Sequence, residues 1–147
     1  MYIERVRARF EELRRYFPRK VVPCMQADIW SLERHSGLSL PTAYKEFLLW
    51  AGRGMGGCCV GTEFFYPHAR GLTEGALELL VDDDYTDLIP NDAFVFYMHQ
   101  GYFFMFFNTS EGEDPPVYSY MQGSIVKLSF SSFSEFLLKA IEDRAKR

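Results

Sequence analysis

A pair of helices joined by a short glycine–proline turn is the feature that most constrains the fold of this chain. Gly37 can adopt the left-handed backbone that ends a helix, and Pro41 suits a first helical position because its missing N–H would have no intrahelical partner there. Beyond Pro41, one face of the second helix carries Tyr44, Phe47, Leu48 and Ala51, at positions i, i+3, i+4 and i+7. Segment 29–50 therefore predicts helix, turn and helix, with an apolar stripe that must be buried.

Further helices are predicted on either side of this motif. The first helix carries apolar residues at alternating spacings of three and four: Ile3, Val6, Phe10, Leu13 and Phe17. The helix before the turn is expected to bury Ile29 and Leu32, with Trp30 as a further candidate. Three helices are thus expected before the first strand. A last helix is predicted to begin at Ser132, where Glu135 stands at the position that completes a capping box.

An aromatic hairpin is predicted in the second half of the chain. Segments 93–98 and 102–107 are almost continuously apolar, which indicates that both faces of the hairpin are at least partly covered. Further short strands are expected at 58–60, 64–66, 117–120 and 125–128. Residues 72–80 permit a short helix without requiring one. The aromatic residues between 94 and 120 are expected to build most of the core, and strand alternation leaves open which of them share a face.

These elements indicate an α+β protein. A chain of 147 residues matches the usual size of one domain, so residues 1–147 are expected to form a single unit. The predicted architecture has N-terminal helices, a central and mainly antiparallel sheet of about four to six strands, and a C-terminal helix packed on the sheet. No apolar run approaches the roughly 20 residues of a spanning helix, which predicts a cytoplasmic protein without membrane insertion.

The order of these motifs resembles the SUKH superfamily. A glutamate is followed by Leu-Pro, then Tyr, Lys, Phe-Leu and a glycine cluster, and the matching motif positions are Leu40, Pro41, Tyr44, Phe47 and Leu48. The resemblance continues through 89–97, 116–120 and 132–137 and covers about residues 28–141. It implies that the motif residues define the fold. It also implies a single SUKH-like domain.

The SUKH superfamily includes fungal regulators of cell-wall glucan synthesis and many bacterial immunity proteins. The resemblance implies a non-enzymatic protein that binds a cognate toxin domain, often a nuclease, and blocks it. A regulatory scaffold of the cell-wall glucan-synthesis type is the alternative within the same family. A small-ligand pocket or an enzyme site at the glycine-rich turn is a third and weaker alternative.

The distribution of charge bears on the kind of partner. The net charge is −4, yet between residues 54 and 126 a single basic residue, Arg70, stands against eleven acidic ones. This negative field would repel nucleic acid and attract a basic protein surface. The basic first segment, residues 1–20, is interpreted as a solvated face or as a source of internal partners for the acidic loops. The predicted partner-binding residues are Asp82, Asp83, Asp84, Asp87, Glu111, Glu113 and Asp114.

The residues give little support to catalysis or metal binding. The three cysteines form neither a disulfide framework nor a zinc knuckle, and the histidines lack ligand spacing. Cys58, Cys59 and His68 could suggest a thiolate nucleophile and a base, but a strand would direct adjacent cysteines to opposite faces. The glycine run 52–57 follows a helix and precedes a strand, the reverse of a dinucleotide site. No enzyme activity, metal or cofactor is therefore expected.

Overall fold

The computed structural model describes residues 1–84 and 89–147, which form helices packed around an antiparallel sheet. The α-helices are α1 (Glu4–Glu12), α2 (Gln26–Ser36), α3 (Thr42–Ala51), α4 (Leu72–Asp82) and α5 (Phe133–Ala145). The strands are β1 (Val21–Val22), β2 (Gly54–Met55), β3 (Ala93–His99), β4 (Phe103–Asn108), β5 (Val117–Met121) and β6 (Lys127–Phe130). Short 3₁₀ turns occupy Arg14–Tyr16, His68–Arg70 and Thr109–Glu111.

The main sheet is a meander in the order β3-β4-β5-β6, with every neighbouring pair antiparallel. This arrangement, with N-terminal helices and α5 packed beside the sheet, confirms the predicted α+β fold. The expectation that three helices precede the first strand is wrong. Strand β1 lies between α1 and α2 and pairs with β2, with Val21 opposite Met55. A two-residue strand is too short to produce a recognisable alternation of side chains.

The helix–turn–helix motif forms as predicted, with a shift of one residue at its second helix. Gly37 ends α2 in the left-handed conformation, with φ of 73°. Pro41 is the N-cap of α3, at φ −62° and ψ 148°, and the first helical residue is Thr42. The carboxylate of Glu33 accepts a hydrogen bond from the backbone N–H of Leu40, over 2.8 Å. This hydrogen bond links α2 to the residue just before the N-cap of α3.

Helix α3 is buried by aromatic rings from the sheet and from α5. The Tyr44 ring lies 5.3 Å from Phe107 and 5.3 Å from Phe133, and 5.4 Å from Phe94. The ring of Phe47 stacks on Phe64 at 4.8 Å. The resembling motif residues Leu40, Pro41, Tyr44, Phe47 and Leu48 are all buried, which fits the expectation that they define the fold. Among the described residues, the Tyr44 hydroxyl has no hydrogen-bond partner.

The two faces of the main sheet bury different sets of side chains. The larger core joins α1, α2, α3 and α5 to Phe94, Phe96, Met105, Phe107 and Val117. The smaller core joins α4 to Val95, Met98, Phe104, Phe106 and Tyr120. A bulge in β3 between Val95 and Tyr97 interrupts strict alternation. The predicted covering of both hairpin faces is confirmed.

Other local expectations are corrected. Segments 58–60 and 64–66 are not strands. In and next to the first of them, Cys59 and Gly61 adopt positive φ values of 63° and 92°, which break the extended backbone. Residues 72–80 do form a helix, α4. Trp30 is exposed to 57% of its surface, whereas Ile29 and Leu32 are buried.

The capping box predicted at the start of α5 is half formed. The Ser132 hydroxyl accepts a hydrogen bond from the Glu135 backbone N–H over 3.1 Å. The Glu135 carboxylate does not return to Ser132. It pairs with Arg5 of α1, at 3.2 Å, and so ties the two terminal helices together at the surface.

Two glycine-to-alanine substitutions are expected to change stability in opposite directions. Gly37→Ala should lower the free energy of unfolding by about 1 kcal/mol, since an L residue is strained at positive φ although no atom lies within 4 Å of the new Cβ. Gly75→Ala, inside α4, should raise it by about 0.5 to 1 kcal/mol, since its Cβ would meet Met98 at an ordinary 3.6 Å. Urea unfolding monitored by circular dichroism measures both. Equal shifts would contradict the backbone explanation.

Candidate functional site

One part of the sheet is left uncovered on the side where α4 packs. Tyr118 of β5 lies opposite Leu128 of β6, so both side chains share the α4 face of the sheet. Tyr118 stacks on Phe106, with ring centroids 5.4 Å apart, at the edge of the smaller core. Beyond it, Leu128 is exposed to 62% of its surface. We refer to the surface of Tyr118, Leu128, Asp83 and Glu111 as the β5–β6 face.

Asp83 joins the end of α4 to the β5–β6 face. Its carboxylate accepts hydrogen bonds from the Tyr120 hydroxyl and, over 3.3 Å, from the backbone N–H of Gly123 in the turn between β5 and β6. Asp83 follows the last residue of α4 directly. This contact places the predicted acidic run beside the uncovered strands.

Glu111 reaches the same face from the other end of β5. Its carboxylate accepts from the Tyr118 hydroxyl, at 3.0 and 3.1 Å to its two oxygens, and from the Asn108 amide at 2.6 Å. Desolvation raises the pKa of Tyr118, and the Glu111 carboxylate raises it further, so the hydroxyl stays protonated as a donor. Tyr118 and Tyr120 are two residues apart on one strand, roughly 7 Å. The two carboxylates therefore bracket a short stretch of β5.

Glu113 and Asp114 have a different position from the other acidic residues, at the starts of two helices. The Glu113 carboxylate accepts from the Thr42 hydroxyl at 2.7 Å and from its backbone N–H at 3.4 Å. These hydrogen bonds lower the pKa of Glu113. The Asp114 carboxylate accepts from the Ser134 hydroxyl and, at 2.9 Å, from its backbone N–H. Both carboxylates thus satisfy helix N-terminal donors, at α3 and at α5.

The predicted partner-binding residues therefore fall into three groups. Asp82, Asp83, Asp84 and Glu111 lie at or next to the β5–β6 face, whereas Glu113 and Asp114 cap helices. Asp87 lies outside the described residues. Asp82 and Asp84 are exposed, and within the described chain their carboxylates have no hydrogen bond or ion pair.

Leu128 was missed by reasoning from the sequence. Segment 125–128 was expected to be a strand, but the sequence does not reveal that this strand is the outer one of the sheet. An edge strand that no helix covers leaves its apolar side chains in water. The sequence signal that could have indicated it is Lys127, because lysine is typical of edge strands.

Two of the three arginines of α1 form ion pairs with α5. Arg5 pairs with Glu135 at 3.2 Å, and Arg9 pairs with Glu142 at 3.5 Å. The prediction left open a solvated face or internal partners among the acidic loops. In the described chain, the ion pairs of α1 are with α5 and, between Arg9 and Glu12, within α1 itself, not with those loops. These pairs are at the surface, so each contributes little to stability.

The glycine-rich turn is filled by protein atoms. A Cβ on Gly56 would lie 2.8 Å from Phe17 and 2.9 Å from Phe10, and a Cβ on Gly52 would lie 2.5 Å from the Cys24 sulfur. These glycines allow close packing of α1, α3 and β2 against each other. Gly52 and Gly56 thus leave no room for a ligand at their own positions, whereas Gly57, at the end of the turn, borders a cavity.

Among the cavities of the described structure, one borders the glycine-rich turn at Gly57 and a smaller one lies between α2 and α4. The larger, of about 700 Å³, lies between the loop after β2 and the last turns of α5, and its lining includes Cys58, Cys59 and Tyr97. The smaller, of about 120 Å³, lies between α2 and α4, beside the pair of His35 and Glu74. Across residues 1–84 and 89–147, no three histidine, cysteine or acidic side chains come together as a metal site would require. In the same ranges, no helix is long and apolar enough to cross a membrane.

Comparison with known protein families matches residues 23–139 to the SMI1 / KNR4 family (SUKH-1). The chain belongs to the SUKH-1 family. The match spans α2 to most of α5 and includes every position of the motif from Leu40 to Leu48, so the resemblance drawn from the sequence is confirmed. A search of curated proteins found no match. In this SUKH-1 domain, α1 precedes the matched region and packs on α5.

The contribution of the Asp114 helix cap to stability can be distinguished from that of the exposed acidic residues. Asp114→Ala should lower the free energy of unfolding by about 1 to 2 kcal/mol, because the Ser134 backbone N–H loses its acceptor. Asp82→Ala is the control, and it should leave stability unchanged or slightly raised, since a negative charge at the end of a helix is unfavourable. Chemical denaturation measures both. Equal losses would remove the capping role.

Two tyrosine-to-phenylalanine substitutions distinguish a paired hydroxyl from an unpaired one. Tyr44→Phe should raise the free energy of unfolding by about 1 kcal/mol, because a buried hydroxyl without a partner among the described residues is removed. Tyr120→Phe should lower it by about 1 to 2 kcal/mol, because Asp83 loses a donor. Thermal and urea unfolding report both values. A loss of stability in Tyr44→Phe would show that its hydroxyl is satisfied in solution.

Proposed function

We propose that this SUKH-1 protein is a non-enzymatic immunity protein that binds a cognate bacterial toxin domain through the β5–β6 face. Membership in the SUKH-1 family is the observation that carries the proposal, because the resemblance implies immunity proteins that block toxins. The proposed partner is a protein with a basic surface, and the binding needs no cofactor. The proposal places the complex in the cytoplasm.

The composition of the β5–β6 face supports a protein-binding role. Protein interfaces combine an apolar centre with a polar rim, and tyrosine is enriched among the residues that dominate binding energy. Leu128 is exposed to 62% of its surface. Tyr118 lies beside Leu128, and its hydroxyl is already oriented by Glu111. A partner would thus meet an apolar centre that requires little ordering on binding.

The charges around this centre favour a basic partner. Asp82, Asp83 and Asp84 lie at one end of the face and Glu111 at the other, and residues 71–126 include no lysine or arginine. Long-range attraction of this kind raises the rate of encounter more than it raises the final affinity. In the proposed mechanism, the acidic residues bring the toxin to the face, and Tyr118 with Leu128 then holds it.

Glu113 and Asp114 are also proposed to take part in partner binding, but their carboxylates already have partners within the protein. Their carboxylates are engaged with Thr42 and Ser134, so a partner would have to compete with helix caps. Their charge still adds to the negative field. Variants at these two positions would mix loss of binding with loss of stability, and they are poor probes of the interface.

Partner capture tests the function itself. The tagged protein should retain one stoichiometric partner from its own organism at low salt, and expression of that partner's terminal domain should kill cells unless this protein is present. Several wall-synthesis or signalling partners would favour the regulatory scaffold instead. A captured partner that is harmless to cells would overturn the immunity role.

Matched charge variants test the β5–β6 face once the partner is in hand. Asp82→Lys should lower the association rate constant on the order of 3- to 10-fold at low ionic strength and flatten its salt dependence. Glu11→Lys makes the same change of charge on α1, at the opposite side of the sheet, and should have little effect. Stopped-flow or biosensor kinetics over a salt series measures both. Equal effects would remove the acidic run from the interface.

An apolar pair tests the centre of the same face. Leu128→Ala should raise the dissociation rate constant on the order of 10-fold, the effect of about 1.4 kcal/mol of lost binding energy. Leu49→Ala, at an exposed leucine of α3, should leave dissociation unchanged. Unchanged dissociation in Leu128→Ala would place the contact surface elsewhere.

A further inference from the structure

Two adjacent cysteines lie together in the wall of the larger cavity. The Sγ atoms of Cys58 and Cys59 are 3.6 Å apart. The sequence predicted a strand that would direct them to opposite faces, and this expectation is wrong. Cys59 has a left-handed backbone, at φ 63°, within a turn. The turn brings both sulfurs to one side, where they line a cavity of about 700 Å³.

The surroundings of the pair distinguish the two sulfurs. A hydrogen bond from the Cys59 thiol lowers the pKa of Cys58, and the positive charges of Arg144 and Arg147 lower it further, against the effect of burial. The same hydrogen bond and burial raise the pKa of Cys59. The Cys58 thiol also lies 3.7 Å from the carbonyl oxygen of Ala140, to which it can donate while it keeps its proton. The pair therefore combines a sulfur that ionises more readily than an ordinary cysteine with a neighbour that keeps its proton. The two arginines line the same cavity and are exposed at its rim.

We propose that Cys58 and Cys59 form a peroxide-sensitive dithiol site. Reactive cysteines are accessible thiolates with a second cysteine next to them that can resolve the oxidised product. Cys58 is only 1% exposed and Cys59 is half-buried, so the cavity wall is where a small oxidant such as hydrogen peroxide would meet the pair. The site lies against α5, on the sheet face opposite α4, so it is distinct from the β5–β6 face and does not depend on the proposed toxin.

The chemistry proceeds in two steps. The Cys58 thiolate attacks one oxygen of hydrogen peroxide, so an S–O bond forms, the O–O bond breaks, and the leaving hydroxide takes a proton to become water. The Cys59 sulfur then attacks the sulfenic acid on Cys58, forming the S–S bond and breaking the S–O bond. The hydroxyl leaves as a second water with the Cys59 proton. In sum, two thiols and one peroxide give one disulfide and two waters.

The product would be readily reversed by thiols. Neighbouring Cα atoms across a trans peptide are about 3.8 Å apart, whereas disulfides usually join Cα atoms at least about 4.4 Å apart. A bond between adjacent cysteines is therefore strained and easily reduced. Two successive exchanges with a low-molecular-weight thiol restore the dithiol. This behaviour suits a reversible modification rather than a structural crosslink.

Cys24 is a built-in control for this site. It is buried in the larger core, and burial, with a contribution from the Asp28 charge, raises its pKa to about 11. A thiol in that state is a poor nucleophile at neutral pH. The same chain thus contains a thiol that the proposal expects to remain unreactive.

Differential alkylation after peroxide treatment tests the proposal on the full-length reduced protein. Mass spectrometry should find Cys58 and Cys59 joined by a disulfide that dithiothreitol reverses. Cys24 should remain a free thiol that the alkylating reagent can label, and peroxide should oxidise it at least about 10-fold more slowly. Cys59→Ser should stop at a sulfenic acid on Cys58, trapped by dimedone. Cys58→Ser should give no linked product.

The result that would overturn the proposal is equally definite. Oxidation of all three thiols at one rate, or direct conversion of Cys58 to sulfinic acid in the unaltered protein without a disulfide, excludes a resolving pair. Circular dichroism of each variant shows whether it folds. If Cys58→Ser does not fold, Cys59→Ser alone decides the matter, because dimedone trapping at Cys58 supports the site and its absence refutes it.

Discussion

Packing around the ring of Tyr44 is the interaction on which the rest of the structure depends. The ring lies between two strands of the sheet and α5, within 5.4 Å of Phe94, Phe107 and Phe133. Rings at such distances make favourable edge and offset contacts beyond the area that they bury. Close packing of this kind tolerates little displacement. Helix α3 therefore sets where the sheet and the last helix can lie, and the turn from Gly37 to Pro41 sets where α3 begins.

Unequal covering of the two sheet faces connects this fold to the proposed function. A helix is about 10 Å wide and strands are about 4.8 Å apart, so one helix covers about two strands. On one face, α1, α2, α3 and α5 supply ample cover for four strands. On the other, α4 contributes to a core that is centred on β3 and β4. The outer strands β5 and β6 remain accessible there for this geometric reason, and the acidic end of α4 lies beside them.

Much of the fold could be predicted from local patterns, and the exceptions have physical causes. Glycine at a helix end, the apolar stripe of α3 and the aromatic hairpin depend on neighbouring residues, so periodicity identifies them. The β1–β2 pair and the turn at Cys59 depend on contacts that local propensity does not encode. Trp30 has a large apolar side chain of the kind found in protein cores, but it lies on the outer side of its helix.

The candidate site was harder to predict, because charge alone does not say what a carboxylate binds. Glu111, Glu113 and Asp114 are close in sequence and belong to the same polar loop. Glu111 nevertheless orients a tyrosine, whereas Glu113 and Asp114 cap helices. The donors on the two helices lie 71 and 20 residues away along the chain. Such partners exist only after the chain has folded. The family resemblance identified the kind of protein, while the position of the outer strand had to come from the sheet order.

The adjacency of Glu113 and Asp114 also has a consequence for how the molecule opens. Two neighbouring residues hold the first turns of α3 and α5, and the ring of Tyr44 from α3 packs on Phe133 of α5. A fluctuation that frees this dipeptide exposes both helix starts together, since neither carboxylate can leave far without the other. We therefore expect α3 and α5 to open as one cooperative unit, and the amides of α4 to exchange with solvent while the larger core remains closed.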